Sequence, residues 1–226
     1  MLGDRAGSSL RFMLDSADLK DWEEWFPTGL FYGVTTNPLL LEQSHVPCQI
    51  ETLKMLASVA FELGVREVQL QAWGSTVEAY LHNGEALASL DPRVVVKIPI
   101  TKIGVTAAAQ MIPQGMRVTL TGVDAVPQVL LAAAIGAEYA APYLGRIHES
   151  GRNGCEELGA MQRSLSGVGS STRLLVASIR RVEDIATLAA QGLNTFTCSS
   201  AIAAQFFDVS ATLKATEEFE RAAQRL

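Results

Sequence analysis

The sequence predicts a single-domain α/β protein, a (β/α)8 (TIM) barrel over about residues 10–207 with a C-terminal helix over about 209–226. Three observations predict it. Short β-branched or apolar runs recur roughly every 20 to 30 residues, and a helical pattern follows each of them. One run, Val94-Val95-Val96-Lys97-Ile98-Pro99-Ile100, is apolar on both alternating faces, like a strand covered on two sides. Strict strand-then-helix alternation implies a parallel sheet, and eight such units fit 226 residues as a closed barrel. A doubly wound open sheet is the alternative. It would usually announce a nucleotide site, yet no GxGxxG or GxxxxGK(S/T) motif follows any strand.

The elements follow in order. Leu10 to Ser16 opens as a strand, and Ser16 or Asp18 caps a helix through Trp25. Phe31 to Thr36 is β-branched and aromatic and stops at Asn37-Pro38, after which Leu39 to Gln43 begins a helix. A longer helix spans about Gln49 to Leu63, with Gly64 as its stop. Val65 to Gln71 is the third strand; Ser75 then caps a helix to Leu90, and Asp91-Pro92 turns into the lysine strand. Gly104 to Ile112 is an Ala-rich helix ended by Pro113-Gln114-Gly115, and Val118 to Thr121 is the fifth strand. Asp124 to Ile135 is helical and closes at Gly136, Glu138 to Tyr143 is the sixth strand, and the polar, glycine-rich stretch Gly145 to Gly154 reads as a loop. A helix at about Glu156 to Leu165, a strand from Arg173 to Ser178 and a helix from Val182 to Ala190 follow. Thr195 to Cys198 is the eighth strand, with helices through Gln205-Phe206-Phe207 and from Val209 to the end.

A net charge of −6 with scattered basic residues offers no footprint for nucleic acid or an acidic membrane, so a small-molecule partner is expected. No apolar run approaches a membrane span and Met1-Leu2-Gly3-Asp4-Arg5 is no signal-peptide start, so a cytoplasmic protein is expected. Cys48, Cys155 and Cys198 have neither CxxC nor metal-ligand spacing and read as buried small apolar residues.

Chemistry is expected where strand carboxyl ends converge. An amine in the middle of an apolar strand either pairs with a carboxylate or sheds its proton, and a neutral lysine amine attacks carbonyls. The plain alternative is a lysine that stretches its tip to solvent. Asp15, Thr35, Thr36, Asn37, Gln69, Lys97, Thr121, Tyr143, Arg146, Ser178 and Arg180 all fall at or just past a strand end. Singly, each has a plain role: Asp15 and Asn37 as caps or turn residues, Tyr143 as a rim residue, Thr121 and Gln69 as partners of nearby backbone, the arginines as solvated charges. Gathered on one face around a lysine, they point to a site.

Gly33-Val34-Thr35-Thr36-Asn37-Pro38, Val96-Lys97-Ile98-Pro99, Ala141-Pro142-Tyr143-Leu144-Gly145-Arg146-Ile147 and Ala177-Ser178-Ile179-Arg180 resemble, in that order, the motif set of the transaldolase family, especially its short branch with fructose-6-phosphate aldolase. The resemblance covers about Phe12 to Phe207. It implies a barrel, a Schiff-base lysine, no metal or organic cofactor, and a ring-like homo-oligomer, pentamer or decamer, whose C-terminal helix reaches a neighbour. By position it implies that Lys97 forms the Schiff base and that Asp15 and Asn37, beside Thr35 and Thr36, hold donor hydroxyls, Asp15 also handling protons. Gln69 and Thr121 would place a water at the imine carbon; Arg146, Ser178 and Arg180 would bind phosphate.

The branch turns on the fate of the enamine. In the family, transaldolases usually have glutamate at the position of Gln69 and phenylalanine at that of Tyr143, whereas aldolases have glutamine and tyrosine. On that basis the chain is expected to be a class I aldolase joining or splitting dihydroxyacetone and glyceraldehyde 3-phosphate, with fructose 6-phosphate as product or substrate. A transaldolase, or a non-catalytic sugar-phosphate-binding barrel, is the alternative. His148-Glu149, Thr121-Gly122-Val123-Asp124 and Cys198-Ser199-Ser200 depart from the family pattern; His148 is either a general base or an inert loop histidine.

Overall fold

In the computed structural model, which describes residues 10–224, the chain alternates strand and helix from end to end. The first half runs β1 (Arg11–Asp15), α1 (Leu19–Trp25), β2 (Gly33–Thr35), α2 (Pro38–Gln43), α3 (Ile50–Glu62), β3 (Glu67–Gln71), α4 (Val77–Ala88), β4 (Val94–Pro99) and α5 (Lys102–Met111). The second runs β5 (Val118–Val123), α6 (Gln128–Ile135), β6 (Tyr139–Pro142), α7 (Leu144–Glu149), α8 (Gly154–Gly167), β7 (Arg173–Leu174), α9 (Val182–Ala189), β8 (Thr195–Cys198), α10 (Ser200–Gln205) and α11 (Ser210–Ala223). All neighbouring strands pair in parallel, in the order β7-β6-β5-β4-β3-β2-β1-β8. The seam between β7 and β8 closes through Val176, which bridges Phe196, donates to the Thr195 carbonyl at 2.9 Å and accepts from the Thr197 N–H at 2.8 Å. The expected (β/α)8 barrel is therefore the observed fold.

Alternation decides what each strand residue touches. Outward residues such as Leu14, Val34, Leu70, Val96, Ile98 and Leu120 are buried under the helices and form the main core. Inward, a smaller apolar cluster of Met13, Val95, Tyr139, Ala141 and Leu175 fills the middle. At the strands' amino-terminal end the barrel is plugged by charge. The fully buried Glu67 accepts from Arg117 Nη2 at 2.5 Å and from the Tyr139 hydroxyl at 3.1 Å, and Arg117 also donates to Glu138 at 2.7 Å. Burial and the Glu67 charge push the Tyr139 phenol well above its ordinary pKa. With that end closed, access to the barrel lies at the carboxyl ends of the strands.

Helix starts follow their caps: Asp18, Asn37, Thr76, Thr101, Asn153 and Ser199 each accept an N–H of the first turn. Several local expectations are corrected. Thr76, not Ser75, caps α4, since its hydroxyl reaches the Ala79 N–H. Helix α6 begins at Gln128 rather than Asp124, because the Gln128 side chain accepts the N–H groups of Asp124 and Ala125 and folds that segment as a turn. Half of the stretch Gly145 to Gly154 is helix α7, not loop. Strand β7 keeps only two ladder residues, Arg173 and Leu174; beyond them Val176 and Ala177 make single bridges, and Ser178 turns into a left-handed conformation with φ 57°. Cys48 and Cys155 are half-buried; only Cys198 is buried as expected. Among the described residues no helix is long and apolar enough to cross a membrane. Helix α11 buries none of its side chains, and Leu213 and Phe219 stand 52% and 70% exposed.

Candidate active site

The carboxyl ends of the strands open into a cavity of about 430 Å³. Lys97 reaches it from the inward face of β4, where the Val95–Lys97 alternation turns the amine into the barrel while Val96 and Ile98 face the helices. The side chain is 4% exposed, and Nζ donates to the Thr36 carbonyl at 3.0 Å. That partner is an uncharged acceptor, not a carboxylate. Among the described residues the amine is thus held at the cavity wall by a carbonyl, with no ion pair, and is not released to bulk water.

Seven of the expected residues line this one cavity: Asp15, Asn37, Lys97, Tyr143, Arg146, Ser178 and Arg180. Three more stand directly behind it. The Thr35 hydroxyl donates to Asp15 Oδ1 at 2.6 Å and also meets the Thr197 hydroxyl at 2.5 Å, so the carboxylate is fixed in direction. Thr36 supplies the carbonyl that holds Lys97, and its own buried hydroxyl has no partner among the described residues. The Thr121 hydroxyl lies 3.0 Å from the Tyr143 hydroxyl. Asn37 Oδ1 caps α2 by accepting from Leu39 and Leu40, which leaves its NH2 end for a ligand.

Gln69 is the residue the structure does not bring to the cavity. It lies one inward layer deeper and is fully buried; its Nε2 donates to Glu67 Oε1 at 2.8 Å and its Oε1 accepts from Thr119 at 2.8 Å. The glutamine that lines the cavity is Gln71, which pairs in register with Lys97. Gln43 joins it from α2. Neither was singled out from the sequence, although Gln71 was within reach: it lies two residues beyond Gln69 on the same strand face, nearer the carboxyl end. Gln69 here answers a local need, because Glu67 requires a donor where a second carboxylate would repel it.

The far side of the cavity is built by close approach. The Gly145 N–H donates to the Ser178 carbonyl at 2.8 Å, and a Cβ on Gly145 would stand 2.3 Å from that oxygen. Only glycine lets α7 meet the segment after β7 so closely, and this contact sets Arg146 beside Ser178 and Arg180. Arg146 rides over the Tyr143 ring with its guanidinium carbon 4.8 Å from the centroid, while Arg180 donates to the exposed Glu149 at 3.3 Å. Behind Asp15, burial and the nearby carboxylate push the Cys198 thiol up to about 12.

A strand-borne amine, a phenol, a fixed carboxylate and two guanidiniums at the mouth of a (β/α)8 barrel define a lysine-centred site suited to carbonyl substrates that carry an anionic group. Residues 12–226 match the family model described as transaldolase/fructose-6-phosphate aldolase, and the chain belongs to that family. It is 32% identical over 210 residues to a probable transaldolase of Caulobacter sp. (strain K31), covering 93% of this chain and 94% of the relative. A probable transaldolase of Geobacillus sp. (strain WCH70) is 29% identical over 210 residues, covering 93% and 96%. Thiamine phosphate pyrophosphorylase from Pyrococcus furiosus superposes with a TM-score of 0.61 at 14% identity over 96% of both chains, a likeness of fold alone.

Proposed function

We propose that this protein is a cytoplasmic Schiff-base transaldolase that moves a dihydroxyacetone unit between sugar phosphates. The observation that carries the chemistry is Lys97, buried in a parallel strand with its amine at the cavity and, among the described residues, only a carbonyl as partner. The Lys97 amine adds to the C2 ketone of a ketose phosphate, and the carbinolamine loses water to give an iminium. The iminium takes up the electron pair of the C3–C4 bond; that bond breaks, an aldehyde phosphate leaves, and an enamine stays on Lys97. A second aldehyde then accepts the enamine carbon, and water releases the new ketose. Asp15, oriented by Thr35, removes the C4 hydroxyl proton as the bond breaks. Asn37 NH2 and Gln71 offer hydrogen bonds to donor hydroxyls, and Arg146, Arg180 and Ser178 suit the terminal phosphate.

Transfer is favoured by the names that the relatives carry. A second reading, cleavage of fructose 6-phosphate to free dihydroxyacetone, is supported by Tyr143, whose phenol lines the cavity beside Thr121 and can protonate the enamine. Borohydride added with fructose 6-phosphate should leave a reduced adduct, seen by intact mass, on the parent chain and none on Lys97→Met. Absence of the adduct on the parent would sink both readings and leave a sugar-phosphate binder. Comparing transfer to erythrose 4-phosphate with release of dihydroxyacetone divides the two. The exposed Leu213 and Phe219 of α11 support a homo-oligomer in which that helix covers a second copy.

A further inference from the structure

His148, Cys155 and Asp184 converge beside the active site although nothing in their spacing suggests it. His148 comes from α7, Cys155 from the first turn of α8 and Asp184 from the first turn of α9. Cys155 Sγ lies 4.0 Å from His148 Nε2 and 3.9 Å from Asp184 Oδ1, and the three donor atoms lie within 4.8 Å of one another. Among the described residues this is the one group of three such side chains within that reach. A glycine permits it: a Cβ on Gly154 would meet the Leu144 side chain at 2.7 Å and His148 Nε2 at 3.2 Å, so α8 can start this close to α7 only without one.

We infer that His148, Cys155 and Asp184 form a binding site for one Zn2+ or similar borderline divalent ion, separate from the Lys97 chemistry. One imidazole, one thiolate and one carboxylate is a donor set that suits such an ion, with water in the fourth position. Around tetrahedral zinc, ligand atoms stand about 3.3 to 3.7 Å apart, so the group must close by up to about one and a half ångströms. The exposed His148 ring supplies that movement.

Two features make the group a receiver of charge rather than a settled network. Asp184 is 3% exposed, a nearly buried carboxylate whose charge is met by Arg181 Nη2 at 2.7 Å; the Arg181 side chain is itself 69% exposed and free to swing into solvent when a cation replaces it. The Cys155 thiol donates to Asp184, so an ion bound there takes the place of that S–H contact and displaces one proton from Sγ to solvent. His148 Nε2 takes the ion while Nδ1 carries the ring proton, giving up only a long 3.3 Å contact from the Gly154 N–H. One bound ion staples α7, which carries Arg146, to the helix that follows Ser178 and Arg180.

The test is a Co2+ titration of the tag-free full-length chain followed by absorption. A thiolate-to-cobalt charge-transfer band with visible tetrahedral bands is expected, saturating at one ion per chain and bleached by Zn2+. Cys155→Ser should abolish the charge-transfer band and Cys48→Ser should keep it. His148→Ala and Asp184→Asn should weaken binding by about tenfold or more. Arg181→Ala should tighten it by removing the competing cation. Melting temperatures of the metal-free variants report that each is folded. No charge-transfer band in the parent, a band that survives Cys155→Ser, or weaker binding by Arg181→Ala overturns the inference.

Discussion

Replacing Gly145 with alanine tests whether the approach of α7 to the segment after β7 sets the phosphate end of the cavity. The added Cβ would lie 2.3 Å from the Ser178 carbonyl oxygen, whereas ordinary contact begins at 3.4 Å, so the two backbones must part by about an ångström. No rotamer relieves the clash because the obstacle is main chain. Parting them lengthens the 2.8 Å Gly145–Ser178 hydrogen bond past its useful range, a loss of about 1 kcal/mol. Overpacking adds about 1 to 3 kcal/mol, for a total of about 2 to 4 kcal/mol by urea denaturation. Arg146 and Ser178 shift by the same ångström, and a misplacement of that size costs about a hundredfold in rate. Steady-state transfer from fructose 6-phosphate to erythrose 4-phosphate should therefore fall about a hundredfold in kcat/KM. Borohydride trapping with unphosphorylated dihydroxyacetone, which reaches Lys97 without the arginines, should fall far less. A Gly145→Ala protein with parental kcat/KM, or one that loses both activities equally, would refute the reasoning.

Tyr143→Phe removes the hydroxyl beside Thr121, and release of free dihydroxyacetone should drop far more than transfer, measured side by side; equal losses would show that the phenol has no part in protonating the enamine. Gln69→Glu sets a second buried carboxylate against Glu67 and should cost about 3 kcal/mol of stability, recovered in the Glu67→Gln, Gln69→Glu double variant. A single variant as stable as the parent would mean Gln69 is not needed by Glu67. In alkali the sign is set by Cys198: its thiol, raised from 9.0 to about 12, keeps its proton in the folded chain where the unfolded chain loses it. The stability this group contributes is whole below about pH 9 and is lost toward pH 12 at about 1.4 kcal/mol per pH unit. Denaturation at about pH 8 and about pH 10 should show a steeper loss for the parent than for Cys198→Ala, with Tyr139 contributing equally to both. Identical slopes would contradict the assignment.

Much of the architecture was legible in the chain because its causes are local. Strand alternation, caps such as Asn37 and Asp18, and stops such as Gly64 and Gly136 act within a few residues, and they delimited the elements to within a turn. The lysine strand announced itself for the same reason: one amine among Val94, Val95, Val96 and Ile98 has no local explanation. Errors arose where a distant contact overrode local preference. The stretch after Tyr143 is polar and glycine-rich, which reads as loop, but Gly145 against Ser178 and Gly154 against Leu144 let it pack as helix α7.

What the sequence by itself determined is the order and kind of elements, the position of Lys97 and the set of strand ends that could surround it. Which inward layer a side chain occupies was decided only by the tertiary structure, because the stagger of neighbouring strands around a barrel belongs to no single strand. That register sets Gln69 against Thr119 of β5 one layer down and brings Gln71 level with Lys97. Only the same long-range packing brings Cys155 and His148 to Asp184, 29 residues further along the chain than Cys155.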